Sequence, residues 1–237
     1  MLWWILATVC AFFVKGLCGF ANTLVFTTML SFGHSNVNIS PVELLLGYPT
    51  NAILAWKERK SIRWRVCLPL AAMVVLGMIP GTLLLKNADV GLVKMIFGVV
   101  IMLVGLEMLL RRPGAQARKS RLWMSVIGVL SGILCGLYGV GALLGAYVSR
   151  VTEDSRGFKA NICLVFLVEN TLRVILYAAW GIITLDVVKQ AAMLLPLMLL
   201  GLMLGMLTGR KLKEQLVKKI VMVMLVVSGA ALVISNL

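Results

Sequence analysis

Two glycine-broken stretches decide how this chain folds: residues 16–22, with the sequence GLCGFAN, and residues 132–141, with the sequence GILCGLYGVG. Each interrupts a long apolar run, the first beginning at Leu2 and the second at Leu122. Glycine costs about 1 kcal/mol in a helix interior, so a cluster favours either a helix break or close packing of helices. A break inside a bilayer is tolerated only where protein or a watery cavity covers the backbone. Because both halves of the chain carry such a stretch, we interpret them as broken elements flanking the binding site of a transporter.

The composition is that of an integral membrane protein. Of the 237 residues, 61% are hydrophobic, and the mean hydropathy is +1.00, whereas soluble proteins are about 45–50% apolar. The chain opens directly on apolar residues without a basic region before them, so we expect no cleavable signal peptide. Apolar segments of spanning length run over 2–32, 40–56, 66–85, 91–110, 122–149, 160–180, 187–208 and 216–235.

Landmarks recur in the same order in the two halves, about 120 residues apart, which fits a duplication inside one transporter fold. The first landmark is the Cys-Gly break, and the second is an asparagine, at 51 in the first half and at 170 in the second. The third is a Leu-Pro dipeptide that begins at 68 and at 195, and the fourth is a Val-Lys dipeptide that begins at 93 and at 217. The predicted fold class is an all-α integral membrane protein with two inverted repeats of about four helical segments each. Each repeat begins with a glycine-broken or re-entrant element. The first repeat covers 1–110, a basic cytoplasmic linker covers 111–121, and the second repeat covers 122–237, all within one transmembrane domain.

The formal net charge of +14 could suggest nucleic acid, but the placement of the charges predicts a lipid bilayer as the partner of the chain. Lys and Arg concentrate in the short linkers, which is the positive-inside pattern of multi-pass inner-membrane proteins. If each broken element enters and returns on one side, the basic clusters all face the cytoplasm and each half contributes three crossings. The alternative is a plain arrangement in which all eight segments cross, some with tilt.

The sixth apolar segment carries the group of polar residues that most resembles a substrate site. Glu169, Asn170, Thr171 and Arg173 lie near its middle, where ionisable groups are costly and usually face a partner or cavity. Glu169 and Arg173 are four apart and share a helix face. Arg173 suits an oxyanion because its planar fork binds two oxygens at once, with Glu169 orienting the anion or taking a proton. The alternative is a structural ion pair that joins helices.

The first half offers hydrogen-bonding groups to such a site but less obvious charge. Thr50 and Asn51 occupy the matching point of that half, and Asn22 follows the first break. Helix N-termini after both breaks would direct their positive dipole ends at an anion. Lys15 precedes the first break, where it either binds an anion or extends to the membrane interface; we favour the interface.

The sequence shows no pattern of catalytic or metal-binding residues, so we predict neither an enzyme nor a cofactor. It has a single His and few carboxylates, with no nucleophile set, HExxH motif or phosphate loop. The five cysteines lie in apolar runs at no paired or metal-ligand spacing.

The order of these features is similar to the TauE/SafE sulfite exporter-like permeases. The resemblance covers nearly the whole chain and rests on the two broken elements, on a glycine-rich third helix in each half, and on the segments that follow those helices. These are residues 16–20, 136–141, 77–81, 201–209, 94–96 and 218–220. The chain departs from the family at 20–23, where the family commonly has a glycine-richer run. The resemblance implies a permease for small sulfur-containing or organic anions, including sulfite and sulfonates.

We therefore predict a secondary transporter for a small anion, such as sulfite or a sulfonate, that works by alternating access with protons or sodium as the coupling ion. The predicted substrate-binding residues are Arg173, Asn170, Thr171, Glu169, Asn51, Thr50, Asn22, Cys18, Gly19, Gly136, Tyr138 and Gly139. The alternatives are a passive anion channel and a non-transporting membrane subunit. The sequence leaves the oligomeric state open, a homodimer included.

Overall fold

The computed structural model describes residues 2–30, 36–84, 121–138, 142–152 and 154–234, with a few isolated positions between 99 and 110. Every element in these ranges is helical, so the predicted all-α class is confirmed there. Apart from those isolated positions, the predicted segment 91–110 lies outside the described residues. So do Gly139 and, except for its last residue, the linker 111–121.

The helices follow the predicted apolar segments closely. They are α1 (Leu2–Cys18), α2 (Asn22–Leu30), α3 (Asn36–Lys57), α4 (Trp64–Leu84), α5 (Arg121–Tyr138), α6 (Ala142–Val151), α7 (Ser155–Ala179), α8 (Leu185–Lys211) and α9 (Glu214–Ile234), with a 3₁₀ turn at Arg59–Ser61. Each of the two long glycine-containing runs thus forms a pair of helices, α1 with α2 and α5 with α6.

The first break has a backbone that suits glycine. Gly19 has a φ of 90° and Ala21 a φ of 70°, a left-handed region that costs a non-glycine residue about 1–2 kcal/mol. The Gly19 amide donates to the Lys15 carbonyl at 2.6 Å, which closes the last turn of α1. A Cβ at Gly19 would lie 2.8 Å from Cγ of Lys159 on α7. Conformation and space therefore both favour glycine here.

Helix α1 packs along α8 with the two backbones almost in contact. A Cβ on Gly16 would meet the backbone of α8 at Leu202 and Met206, and a Cβ on Gly205 would meet the Phe13 carbonyl of α1. Small residues allow membrane helices to approach this closely.

Helix α4 packs along α5 in the same way, with glycines that let the two backbones approach closely. A Cβ on Gly77 of α4 would meet the Val129 carbonyl of α5, and a Cβ on Gly132 of α5 would meet the Val74 carbonyl of α4. In both pairs, the first helix of a broken element lies against a glycine-rich helix from the other half of the chain.

Helices α3 and α7 pack against each other between these pairs. Helix α3 also contacts α8, and α7 also contacts α4. Among the described residues, α7 and α8 are long and apolar enough to cross a membrane, with mean hydropathies of 1.8 and 2.1. Shorter apolar helical stretches are Leu2–Cys18, which is α1, and Trp64–Pro80, which is part of α4. Large apolar side chains of α8, such as Leu200 and Met203, are exposed on the outside of the molecule.

Candidate functional site

Four charged side chains are buried together where α1, α3 and α7 meet. They are Lys15 on α1, Glu43 on α3, and Glu169 and Arg173 on α7, with exposed fractions of 1%, 3%, 2% and 2%. In their ionised forms, two positive and two negative charges cancel. Charges in an apolar interior are costly and mark either a functional pathway or a structural pairing, so the contacts within this cluster decide between the two.

Arg173 lies between the two carboxylates. Its Nη1 donates to Oε1 of Glu169 at 3.3 Å, and its Nη2 lies 3.7 Å from Oε2 of Glu43, which is too long for a hydrogen bond. The guanidinium also lies 5.6 Å from the centre of the Tyr177 ring. Among the described residues, neither Nε nor Nη2 of Arg173 has a hydrogen-bond partner. The guanidinium is therefore charge-paired but still has donors to offer.

Glu43 connects Arg173 to the first break. Its Oε1 accepts from Nδ2 of Asn22 and, at 2.9 Å, from Oγ1 of Thr23, which are the first two residues of α2. Our sequence reasoning missed Glu43. A carboxylate inside the apolar segment 40–56 was itself the signal, since ionisable residues within membrane segments are rare and usually paired.

Lys15 faces the protein interior, so the prediction that it extends to the membrane interface was wrong. Its Nζ donates to the Gly47 carbonyl of α3 at 3.2 Å and lies 6.0 Å from the centre of the Phe12 ring. The same carbonyl accepts from Oγ1 of Thr50 at 2.6 Å. Lys15 thus brings a positive charge to the same side of α3 that carries Glu43, one turn away.

Gly47 marks the place where amide side chains converge. A Cβ at this residue would lie 3.3 Å from Oε1 of Glu43, 3.5 Å from Nδ2 of Asn22 and 3.9 Å from Nδ2 of Asn170. The missing side chain leaves room for polar groups from α2, from α7 and from α3 itself. Asn51, one turn further along α3, is buried, and its Oδ1 has no hydrogen-bond partner in the described part of the chain.

The structure brings most of the predicted side chains of α2, α3 and α7 into this buried region, but not Thr171. Arg173, Glu169, Asn170 and Asn22 lie in or beside the charged cluster. Thr171 is exposed, and its hydroxyl donates to the Leu167 carbonyl of its own helix at 2.7 Å and lies 3.2 Å from the Tyr48 hydroxyl. Adjacent helical residues point in directions about 100° apart, which separates Thr171 from Asn170.

The start of α7 holds the first break in place. The Cys163 thiol donates to the Gly19 carbonyl at 3.2 Å, and Nζ of Lys159 donates to the Gly16 carbonyl at 3.0 Å. Cys18 itself is buried at the end of α1. The break is therefore fastened to the helix that carries Arg173.

The second break is described only in part. Gly136 and Tyr138 form the last turn of α5, and nothing is described of the Tyr138 side chain. Cys135, just before them, is buried and close enough to Glu169 and Arg173 to interact with their charges. The end of α5 thus approaches the charged cluster from a fourth helix.

Metal-binding groups do not form a cluster in the described ranges, where no three His, Cys, Asp or Glu residues could hold an ion together. The polar chemistry of the region therefore consists of a guanidinium, an ammonium, two carboxylates and several amides. Such a set can bind an oxyanion by charge and by hydrogen bonds.

Comparison with known proteins agrees with the resemblance noted in the sequence. The family model described as sulfite exporter TauE/SafE matches residues 4–232. The chain is also 28% identical over 151 residues to a protein of Cupriavidus necator called probable sulfite/organosulfonate exporter TauE. That match covers 62% of this chain and 59% of the relative, so it spans less than two thirds of the relative's length. No solved structure matches the chain.

Proposed function

Because this chain belongs to the sulfite exporter TauE/SafE family of membrane transporters, we propose that it carries a small oxyanion, such as sulfite or a sulfonate, by alternating access. The single observation that carries this proposal is the state of Arg173. Its side chain is 2% exposed, yet Nε and Nη2 have no hydrogen-bond partner among the described residues. A sulfite or sulfonate group offers three oxygens that would satisfy those donors.

The surroundings of Arg173 suit such a ligand. A guanidinium fork binds two oxygens of an oxyanion in a fixed geometry. Asn22 and Asn170 place amide donors beside Gly47, and the N-terminus of α2 lies next to them. Lys15 adds a second positive charge on the same side of α3. An anion between these groups would touch both chain halves.

A purely structural role for the charged cluster is the rival interpretation. A buried ion pair that only joins helices is expected to have its donors satisfied, since each unsatisfied buried group costs about 1–3 kcal/mol. Arg173 departs from that expectation at two of its nitrogens. The protein would accept that cost if the donors are used when a substrate arrives.

We further propose that the two repeats, 1–110 and 122–237, are inverted and move relative to each other around the site. Each broken element packs on the glycine-rich helix of the other half, giving the pairs α1 with α8 and α5 with α4. Close backbone packing makes each pair a stiff unit, while the α3–α7 contact between them is polar. Alternating access then corresponds to rocking of one pair against the other about α3 and α7.

The test is anion flux into proteoliposomes that hold the purified protein, comparing sulfite, sulfoacetate and chloride. We expect saturable flux and counterflow of a sulfur oxyanion. Arg173→Gln should lower that flux about 100-fold or more, because losing one partner of a buried charge pair costs about 2–5 kcal/mol. Arg156→Gln is the matched control: Arg156 lies on the same helix but is exposed, so flux should stay at the wild-type level.

Undiminished flux in Arg173→Gln, in protein that elutes as a single species, would contradict the proposed site. Flux that neither saturates nor shows counterflow would favour a passive channel. A lack of flux for every anion would contradict the substrate class.

A further inference from the structure

We propose that each singly charged anion bound at Arg173 is accompanied by one proton, and that Glu169 accepts it. This inference rests on the proposed function and names the coupling ion of the same site. The proton is taken from one side of the membrane, resides on the Glu169 carboxylate while the anion is bound, and leaves with the anion on the other side.

The charge balance of the cluster motivates the inference. Lys15 and Arg173 are matched by Glu43 and Glu169, and all four side chains are almost completely buried. An anion added to this balanced set leaves one uncompensated negative charge. In an interior of low dielectric such a charge is far more costly than in water, so a cation must enter with the anion.

Hydrogen-bond donors distinguish Glu169 from Glu43 as the group that takes the proton. Glu43 accepts from Asn22 and Thr23 in addition to its ion pair with Arg173. Within the described residues, Glu169 has Arg173 as its one donor. When an anion binds Nε and Nη2 of Arg173, Glu43 keeps the two donors from α2 that stabilise its charge. Among the same residues, Glu169 keeps a single donor, Nη1 of a guanidinium whose charge the anion now shares. Hydrogen bonds to the charged form favour ionisation, so the proton goes to Glu169.

The other titratable groups around the cluster do not offer an equivalent site. The groups that face it or interact with its charges are Lys15 on α1, Glu43 on α3, Cys135 on α5, and Cys163 and Tyr177 on α7. A protonated thiol or phenol is neutral and takes no further proton, and an ammonium group is already fully protonated. The two carboxylates are therefore the groups that can become neutral by accepting one.

A proton fits this place better than a metal cation. Hard cations need several oxygen ligands around them. No group of three His, Cys, Asp or Glu residues in the described ranges could supply such a shell. A single carboxylate with one hydrogen-bond donor in those ranges, such as Glu169, is sufficient for a proton.

The experiment uses radiolabelled isethionate, a sulfonate that stays singly charged across the neutral range, so any pH dependence comes from the protein. Proteoliposomes are held at zero membrane potential. Exchange of internal for external isethionate, without a pH gradient, first tests transport itself. An inward proton gradient of one pH unit should then drive about tenfold accumulation, the ratio expected for one proton per anion. A sodium gradient of the same size should drive none.

Glu169→Gln mimics the protonated carboxylate and removes the proton site. In this variant we expect isethionate exchange to persist at a measurable rate. Proton-driven accumulation of isethionate should fall below about twofold, which is close to the ratio of one expected without coupling. Glu58→Gln is the matched control: Glu58 precedes the 3₁₀ turn between α3 and α4 and is absent from the cluster, so accumulation should remain about tenfold.

A second measurement on the wild type keeps the inference testable if Glu169→Gln fails to fold. Isethionate added to purified protein in weak buffer should raise the pH by the uptake of about one proton per bound anion. Binding without proton uptake, or proton-driven accumulation in Glu169→Gln, would overturn the inference. Exchange without proton-driven accumulation would overturn coupling but leave transport standing, whereas no exchange in the wild type would overturn both.

Discussion

The glycine-lined helix contacts and the charged α3–α7 contact use opposite means to bring helices together. Between α1 and α8, Gly16 and Gly205 let backbone lie against backbone. Between α3 and α7, Glu43, Glu169 and Arg173 meet through long side chains, and two guanidinium nitrogens have no hydrogen-bond partner among the described residues.

This difference indicates which contact is built for stiffness and which for a ligand. Backbone packing leaves no room for another molecule, and its geometry changes little, because interiors at this density are not compressible. The charged contact has two donors on Arg173 that are unpartnered in the described part of the chain, and the amide groups of Asn22 and Asn170 lie beside Gly47. Substitutions on the two sides should therefore have different signatures, one in stability and the other in anion affinity.

The largest effect is expected from Gly205→Val, which disrupts the close backbone contact between α1 and α8. The new side chain would collide with the Phe13 carbonyl of α1, and backbone cannot move aside without separating the helices. We expect destabilisation of about 1–3 kcal/mol or more, seen as a lower melting temperature in detergent and a lower yield. Leu204→Val, on the exposed neighbouring position, should melt like the wild type. Equal melting of both variants would show that the close α1–α8 contact does not stabilise the fold.

A smaller effect, of opposite sign, is expected from Glu43→Gln on the charged side. This substitution removes a negative charge that competes with the anion for Arg173, while the amide oxygen can still accept from Asn22 and Thr23. Isethionate binding, measured by calorimetry, should tighten about tenfold, which corresponds to about 1.4 kcal/mol. Glu58→Gln should leave the affinity unchanged. Weaker binding in Glu43→Gln would mean that Glu43 orients the ligand and does not compete with it.

The smallest effect is expected from Thr171→Val, which tests whether Thr171 lies outside the anion site. Thr171 is exposed and bonds to its own helix, so anion affinity should stay within about twofold, as for most surface substitutions. The informative comparison is Thr50→Val, which removes a buried hydroxyl that donates to the Gly47 carbonyl. This substitution should weaken anion binding more than Thr171→Val does. If Thr171→Val lowers the anion affinity as much as Thr50→Val does, Thr171 belongs to the site after all.

Much of the fold was readable from the sequence because it depends on local features. Apolar runs set the helices, and the GLCGFAN stretch set the end of α1 at Cys18 and the start of α2 at Asn22. The spacing of Glu169 and Arg173 predicted that they share one helix face, since residues four apart lie on the same side of a helix. On that face they form an ion pair at 3.3 Å, which was the alternative interpretation of the two residues.

The remaining members of the cluster could not be placed in this way. A lysine near the end of an apolar helix has the same local sequence whether it reaches the interface or turns inward, and the Gly47 carbonyl of α3 decides the matter for Lys15. Glu43 was missed because the match between the two halves points to Thr50 and Asn51, about two turns further along α3.

The sequence by itself determined that this is a helical membrane protein, where its helices are interrupted, and that α7 carries a charged pair. Those properties follow from composition, glycine position and helical spacing, all of which act over a few residues. Only the tertiary structure decided that Glu43 joins Asn22 to Arg173 and that Lys15 is buried beside them. These contacts link α1, α2, α3 and α7, and their geometry depends on how closely the glycine-lined helices allow the rest of the molecule to pack.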